Sequence, residues 1–235
     1  MAEACIGGRR ERRSYAMGRA IGPPEHLGET TAVGTAVRIR PSRAVFARDL
    51  SIDVVAERLR ELSFMLPGCS LVLNGTRLVG DTLRDLCTTV ADGPLVAPPL
   101  HVRLLVRDVL VDVAIGWRPV VSPPTITSWV STFRTHLHGT HVSGVFAGMR
   151  RGALKTDLRA LTRAHGPGHF RDRVSAGLVA VVHAGLYAPR FGDPTKDRLV
   201  NPEAQRAVSD ALAMAFPAYL TQYPLVRRHL AFLLG

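Results

Sequence analysis

The run His101–Pro119, which reads HVRLLVRDVLVDVAIGWRP, constrains the fold most, because it holds two apolar stretches separated by a short polar break. The pattern predicts strands at His101–Val106 and Leu110–Trp117. A third apolar strand is predicted within Ser175–Pro189. Segments with helical spacing precede and follow these strands, so the sequence predicts an α+β fold.

The helical stretches are bounded by turn residues. One helix is predicted from Ser51 to the Pro67-Gly68 stop, followed by a hairpin that turns at Asn74-Gly75. The sequence from Ser143 through GVFAGMRRGALKTDLRALTRA predicts one continuous helix. A further helix is predicted from Asn201, with Pro202 suited to its first turn. The stretch between Trp117 and Ser143 receives no assigned strand.

The N-terminal segment is predicted to be poorly structured. Residues 1–33 are rich in Gly, Pro and Arg, which indicates a loose segment or the edge of a larger domain. The run RRERR at residues 9–13 is predicted to be a disordered basic arm. A strand is predicted at Gly34–Ser42, ended by Pro41.

The chain is strongly basic. It carries 30 Lys and Arg against 19 Asp and Glu, a net charge of +11, and only two of the cations, Lys155 and Lys196, are lysines. This balance suits contact with nucleic acid, although an arginine-biased genome would give the same composition. Three widely spaced cysteines, no apolar run long enough to cross a bilayer and no N-terminal apolar h-region predict a cytoplasmic protein without membrane contact.

Five blocks in order carry a family resemblance: VGTAVRIRPS, AERLRELSFMLPG, HGTHVSG, GLVAVV and FGDPTKDRLVNPE. Together they resemble the B subunit of DNA gyrase and topoisomerase IV, a type IIA DNA topoisomerase. The resemblance extends from about Tyr15 to Pro224. It implies that residues 1–46 are a basic segment plus the last strands of a gyrase–Hsp90–histidine-kinase–MutL-type ATPase domain. It also implies that residues 47–235 are a transducer domain with a ribosomal-S5-domain-2-like fold.

The resemblance also implies nucleotide contacts. The family's Gln-Thr-Lys loop reaches from the transducer to the γ-phosphate of ATP, and here that loop reads Pro194-Thr195-Lys196. Lys196 and Thr195 are therefore candidate phosphate contacts, and Thr35 is a third because Gly34-Thr35 resembles the family's late Gly-x-Thr region. Pro194 departs from the family's Gln and removes a backbone donor.

The chemistry of ATP hydrolysis and DNA cleavage is not predicted for this sequence. The family uses a Glu base and an Asn four residues later, but the only asparagines, Asn74 and Asn201, follow Ser70 and Asp197 at that spacing. The Asp-x-Gly-x-Gly turn, a P-loop motif and the Asp-x-Asp of the cleavage domain do not occur. We therefore predict no catalytic residue and no cofactor for the chain alone, with ATP and Mg²⁺ bound only if the rest of the site is supplied.

Two other clusters allow a functional interpretation. His136, His138 and His141 lie within six positions, but no cysteine is near and Gly139-Thr140-His141 matches the family's Gly-Gly-Thr-His segment, so we predict a helix start and no metal. A second cluster consists of cations at near-helical spacing. The family resemblance implies that they line a cavity that DNA traverses, so they are the candidate DNA contacts: Arg150, Arg151, Lys155 and Arg159. A solvated helix face is the alternative for that run.

Three functional hypotheses remain at this stage. The first is a shortened gyrase-B-like transducer module that couples ATP binding to DNA strand passage. The second is a repurposed DNA- or protein-binding module with no nucleotide role. The third is a shortened paralogue, or a chain whose true start lies upstream. Because an ATPase sheet without most of its strands leaves unpaired backbone, a protein partner or a second copy is expected to cover it.

Overall fold

The computed structural model describes residues 1–66, 68–80 and 82–235. The chain divides into two compact units, residues 1–52 and residues 53–235. The α+β class predicted from the sequence is confirmed. None of the described helices combines the length and the apolar character needed to cross a membrane.

The first unit is an open antiparallel sheet with a small separate hairpin. Its strands are β1 (Ala2–Ile6), β2 (Arg9–Arg13), β3 (Tyr15–Ala16), β4 (Arg19–Ala20), β5 (Glu25–Glu29) and β6 (Gly34–Val37). The sheet order is β5-β2-β1-β6, and β3 pairs only with β4. Gly7 and Gly8 form the turn from β1 to β2 at φ +58° and +79°, the left-handed values that a tight hairpin turn requires.

The prediction of a loose N-terminal segment and a disordered basic arm is wrong. The run RRERR is strand β2, paired with β1 on one side and β5 on the other. The Glu3 carboxylate accepts hydrogen bonds from Arg10 at 2.7 Å and Arg12 at 2.8 Å, which offsets the repulsion between these cations. The strand predicted at Gly34–Ser42 ends at Val37, because Val37 lies opposite Ala2, the first residue of β1.

The second unit is a five-stranded sheet with helices on both faces. Its elements in chain order are α1 (Ile52–Met65), β7 (Leu71–Leu73), β8 (Thr76–Leu78), α2 (Leu83–Ala91), β9 (Leu100–Val106), β10 (Val109–Trp117), β11 (Thr125–Val130), β12 (Phe133–Arg134), α3 (Thr140–Ala153), α4 (Arg159–Ala164), α5 (Pro167–Val174), β13 (Leu178–Gly185), α6 (Pro202–Gln222) and α7 (Pro224–Leu234). The sheet order is β12-β11-β13-β10-β9, with β11 and β13 parallel and the other pairs antiparallel.

The alternation of side chains along the strands separates two cores. Val111, Val113 and Val182 point to the face covered by α3, α6 and α7. Their neighbours Ala114 and Val181 point to the opposite face, covered by α2. Since successive side chains of a strand face opposite sides, a sheet covered on both faces is apolar at nearly every position, as the β13 sequence LVAVVHAG is.

Two sequence predictions in this unit need correction. The helix predicted from Ser143 onward is not continuous, since α3 ends at Ala153 and α4 begins at Arg159. Thr156 forms the break, because its hydroxyl donates to Ala153 O at 2.8 Å and accepts the Leu158 N–H at 3.2 Å. The unassigned stretch before Ser143 contains β11 and β12, which are defined by pairing with distant β13 and with each other.

Candidate functional site

Lys196 lies near the tip of a loop whose two arms are paired. The Val200 N–H donates to Arg190 O at 3.0 Å, and the Gly192 N–H donates to Arg198 O at 2.9 Å. At the base of the loop the buried Asn201 accepts the Arg190 N–H through Oδ1 at 2.5 Å. These bonds attach the loop to the N-terminus of α6, which begins at Pro202.

Side chains of the loop also fix its tip. The Asp193 carboxylate accepts the Thr195 hydroxyl at 2.6 Å and the Asp197 N–H at 3.0 Å. These two bonds, the Thr195 bond foremost, hold the pKa of Asp193 below its ordinary value. The Thr195 hydroxyl also bonds Asp197. Lys196 itself adopts φ +64°, the left-handed conformation that places its side chain at a sharp turn.

The Lys196 ammonium rests on an aromatic ring. Its Nζ lies 3.9 Å from the centroid of Phe133, which belongs to β12. A cation over an aromatic face gains on the order of 0.5–2 kcal/mol, so the ring holds the side chain in place without neutralising it. Lys196 forms no ion pair with a carboxylate in the described part of the chain. Its charge therefore remains available for an anion.

A cleft of about 410 Å³ adjoins this loop within the second unit. Its lining comes from α1, the β12 hairpin and the loop: Val54, Glu57, Arg58, Glu61, Phe133, Arg134, His136, Thr195 and Asp197. Glu61 accepts Arg58 at 2.8 Å and Arg134 at 2.9 Å, which ties α1 to β12. Phe133 and Arg134 were missed at the sequence level, because two residues give no strand pattern of their own.

The segment that leads into α3 lies directly against the loop. The Leu137 N–H donates to Asp197 O at 3.0 Å, the Leu199 N–H to His138 O at 2.9 Å, and the Thr140 N–H to Leu199 O at 3.0 Å. Gly139, at φ +132°, is required here, since a Cβ would lie 2.2 Å from Leu199 O. The glycine that matches the family's Gly-Gly-Thr-His segment is thus required by the close approach of the two backbones.

The three clustered histidines occupy different environments. His136 is exposed, His138 is partly buried, and His141 is completely buried in α3. The His138 Nδ1 lies 2.8 Å from Ser128 Oγ, and the His141 Nε2 lies 3.3 Å from Thr135 Oγ1. Across residues 1–66, 68–80 and 82–235, no three His, Cys, Asp or Glu side chains are arranged to hold a metal ion.

Thr35 belongs to the other unit. It lies on β6, an edge strand of the open sheet, opposite Ala4, and is exposed. Lys196 and Thr195, by contrast, are neighbours on one loop of the second unit. The structure thus places the three predicted nucleotide contacts in two separate units.

Two of the predicted DNA contacts have internal partners. Arg150 donates to His165 O at 3.2 Å, and Arg151 pairs with Asp210 of α6 at 2.6 Å. The Arg150 and Arg151 guanidinium groups therefore join α3 to its neighbours, although Arg151 remains exposed.

Lys155 and Arg159 follow the end of α3. The Lys155 Nζ donates to Ala213 O at 3.3 Å. That carbonyl lies four residues before Pro217, which has no N–H to give it, so the lysine supplies the bond that proline removes from α6. Arg159 is exposed and forms no side-chain bond within the described residues. The four predicted DNA contacts do not share one helix, and their role in DNA binding stays a prediction.

The sequence of this chain is similar to sequences of DNA gyrase B proteins. A sequence model of the DNA gyrase B family matches residues 83–232. The DNA gyrase B protein of Eisenibacter elegans is 28% identical over 232 residues, and that of Thermotoga maritima is 27% identical over 232 residues. These alignments cover 90% and 86% of this chain but only 48% and 34% of the relatives. The chain thus spans half or less of their length.

Solved structures show the same fold. The 43K ATPase domain of Thermus thermophilus gyrase B, solved in complex with an aminocoumarin, superposes with a TM-score of 0.76 at 23% identity. That match covers 99% of this chain and 66% of the Thermus chain. The ATPase region of Saccharomyces cerevisiae topoisomerase II superposes with a TM-score of 0.65 at 14% identity, covering 60% of the yeast chain.

Proposed function

The chain belongs to the DNA gyrase B family, and we propose that it works as a transducer module of a type IIA DNA topoisomerase. In this role residues 47–235, most of which lie in the second compact unit, form the transducer, and residues 1–46 correspond to the last strands of an ATPase domain. The module relays nucleotide binding to DNA strand passage and hydrolyses no ATP by itself. ATP and Mg²⁺ bind when the other nucleotide-contacting residues are supplied by another chain or segment.

The observation that carries this proposal is the geometry of Lys196. A paired loop, an aspartate-centred turn and the ring of Phe133 hold one uncompensated ammonium group in a defined place. Such a preorganised cation can stabilise the negative charge of a terminal phosphate at little further entropic cost. The Thr195 hydroxyl, bonded to two aspartates, acts mainly on the shape of the loop.

A chimera tests the coupling role. Residues 53–235 replace the matching segment of Eisenibacter elegans gyrase B, and ATP hydrolysis is measured with and without DNA. We expect the chimera to hydrolyse ATP and Lys196→Ala to lower kcat about 100-fold, the typical loss when one group stabilising transition-state charge is removed. Arg173→Ala, which removes an exposed cation of α5 that has no side-chain bond within the described residues, is the control and keeps kcat. A Lys196→Ala chimera as active as its parent would rule out the phosphate role.

The net charge of +11 and the substitution of the family's Gln by Pro194 favour one alternative, a DNA-binding module without a nucleotide role. Its signature is duplex binding that weakens steeply with salt and does not depend on Lys196. A fluorescence anisotropy titration of the intact chain against duplex DNA at several salt concentrations separates this alternative from the coupling role.

A further inference from the structure

A second pocket in the unit formed by residues 53–235 differs in the charge of its lining from the cleft beside the loop that holds Lys196. It encloses about 250 Å³ and lies at the start of α3. Its lining residues are Leu137, His138, Gly139, Thr140, Val142, Ser143, Arg171, Arg198, Leu199 and Val200. None of them is acidic, whereas the lining of the cleft of about 410 Å³ beside the loop includes Glu57, Glu61 and Asp197. The pocket is therefore the more favourable of the two for an anion.

Two arginines from different elements line this pocket. Arg171 comes from α5 and Arg198 from the Lys196 loop, and both are exposed. Neither forms an ion pair or a side-chain hydrogen bond within the described residues; Arg171 only stacks on Phe146, 4.7 Å from the ring centroid. Guanidinium groups without a carboxylate partner are suited to bidentate recognition of phosphate oxygens.

Neutral donors complete the pocket. The Thr140 hydroxyl oxygen is buried and has no hydrogen-bond partner among the described residues. His138 contributes its ring, with Nδ1 engaged by Ser128 at 2.8 Å. Burial, and next the charge of Arg171, lower the pKa of His138, which agrees with the closeness of these two side chains. The N-terminus of α3 also brings the partial positive charge of its helix dipole to this space, although the Thr140 N–H itself is bonded to Leu199 O.

Hydrogen bonds fix the backbone that forms the floor of the pocket. The Leu199 N–H donates to His138 O, and Leu199 O accepts the Thr140 N–H. Gly139 allows this contact because no Cβ would fit against Leu199 O. A backbone fixed in this way loses little conformational freedom on binding, which favours affinity for an anion.

From these observations we propose that the pocket formed by Arg171, Arg198, His138 and Thr140 binds a phosphate group. The site is separate from the proposed Lys196 contact, with which it shares no lining residue. A free or terminal phosphate and a phosphodiester of a DNA backbone present the same oxygens to it. The volume of about 250 Å³ is large enough to admit a phosphate group.

The test is a titration of the intact ¹⁵N-labelled chain with inorganic phosphate at constant ionic strength, followed by ¹H–¹⁵N correlation spectra. We expect saturable shifts at Thr140, His141 and the Arg171 side chain. Arg171→Gln and Arg198→Gln should each raise the Kd for phosphate about tenfold, because each removes a charge-assisted hydrogen bond. Arg173→Gln, on the same helix two residues away and outside the pocket, is the matched control and should keep the wild-type Kd.

The source of the phosphate is decided by a second titration with a duplex oligonucleotide. If the duplex displaces inorganic phosphate and binds the two glutamine variants more weakly, the ligand is a DNA phosphodiester. If the duplex does neither, the pocket takes a free or terminal phosphate. Absence of saturable shifts with phosphate, or equal Kd values for both variants and the Arg173→Gln control, would overturn the proposal.

Discussion

At the scale of single residues, the buried histidine of α3 makes the stability of the protein depend on pH. His141 is completely buried, and among the described residues only Thr135 is within hydrogen-bond distance of its ring, through Nε2. Burial, and then the charges of His138 and His183, lower the pKa of His141 to about 3. The ring is thus neutral in the folded protein across the physiological range and fits its site only in that form.

We predict that the stability of the second unit falls in acid. The unfolded chain takes up a proton at His141 near pH 6.5, whereas the folded chain resists it down to about pH 3. The contribution of the neutral His141 ring to the free energy of unfolding is therefore fully present above about pH 6.5. It is lost as the pH falls towards 3, at roughly 1.4 kcal/mol per pH unit for one such group. The pKa of His183 is also lowered, by burial foremost, so it adds to this slope.

Urea unfolding measured at several pH values between 4 and 8 checks this prediction. His141→Gln should reduce the pH dependence of the free energy of unfolding without removing it, since His183 still contributes. His136→Gln, at an exposed neighbouring position, should behave like the wild type. A pH profile in which His141→Gln and wild type run parallel would show that His141 does not control acid stability.

At the scale of elements, the pairing of α3 with α6 depends on three glycines spaced four residues apart. Gly144, Gly148 and Gly152 form one stripe of α3 that lies against α6. A Cβ at Gly148 would lie 2.8 Å from Ser209 O and 2.7 Å from Leu212 Cβ. The two helix backbones therefore approach more closely than any side chain would allow, and these glycines are needed for packing rather than for flexibility.

Gly148→Ala should destabilise the protein by about 1–3 kcal/mol, because the added methyl must push the two helices apart. Gly168→Ala on α5 is the control, since a Cβ there meets nothing within 4 Å. That change should be neutral or stabilising by up to about 1 kcal/mol, as alanine restricts the unfolded chain. Thermal unfolding by circular dichroism distinguishes the two, and equal melting temperatures would show that α6 can retreat without cost.

At the scale of the whole molecule, the two units differ in how much they bury. None of residues 1–52 is buried, whereas the second unit encloses large side chains such as Trp117 and Trp129 in its cores. Exposed apolar side chains in the first unit include Val33, Ile39 and Phe46. A sheet that buries so little apolar surface has little to offset its conformational entropy.

We therefore predict that backbone amides of β1, β2 and β6 exchange with deuterium much faster than those of β13 in the isolated chain. Local opening is inexpensive where few apolar contacts are lost, while β13 opens only when the whole second unit unfolds. Hydrogen–deuterium exchange with peptide-level mass spectrometry measures both in one sample. Slow exchange of the first unit that persists on dilution would contradict this. Protection that grows with concentration would favour a second copy covering the sheet.

Elements with local signals could be predicted from the sequence without any knowledge of the tertiary structure. The strands at His101–Val106 and Leu110–Trp117 and the hairpin at Asn74-Gly75 follow from alternation and turn chemistry within a few residues. The five ordered blocks, which include those around Gly139 and Lys196, likewise sufficed to identify the family. Each of these features is encoded by neighbouring side chains, so no information about distant contacts is needed.

The remaining features required the tertiary structure, because they depend on residues far apart in the chain. RRERR is a strand because β1, β5 and Glu3 surround it, and Phe133 belongs to the site because Lys196 lies on its ring. Lys155 bonds a carbonyl of another helix, near Pro217. Spacing along a helix cannot reveal such partners, since hydrogen bonds and burial are set by the packing of elements and not by their order.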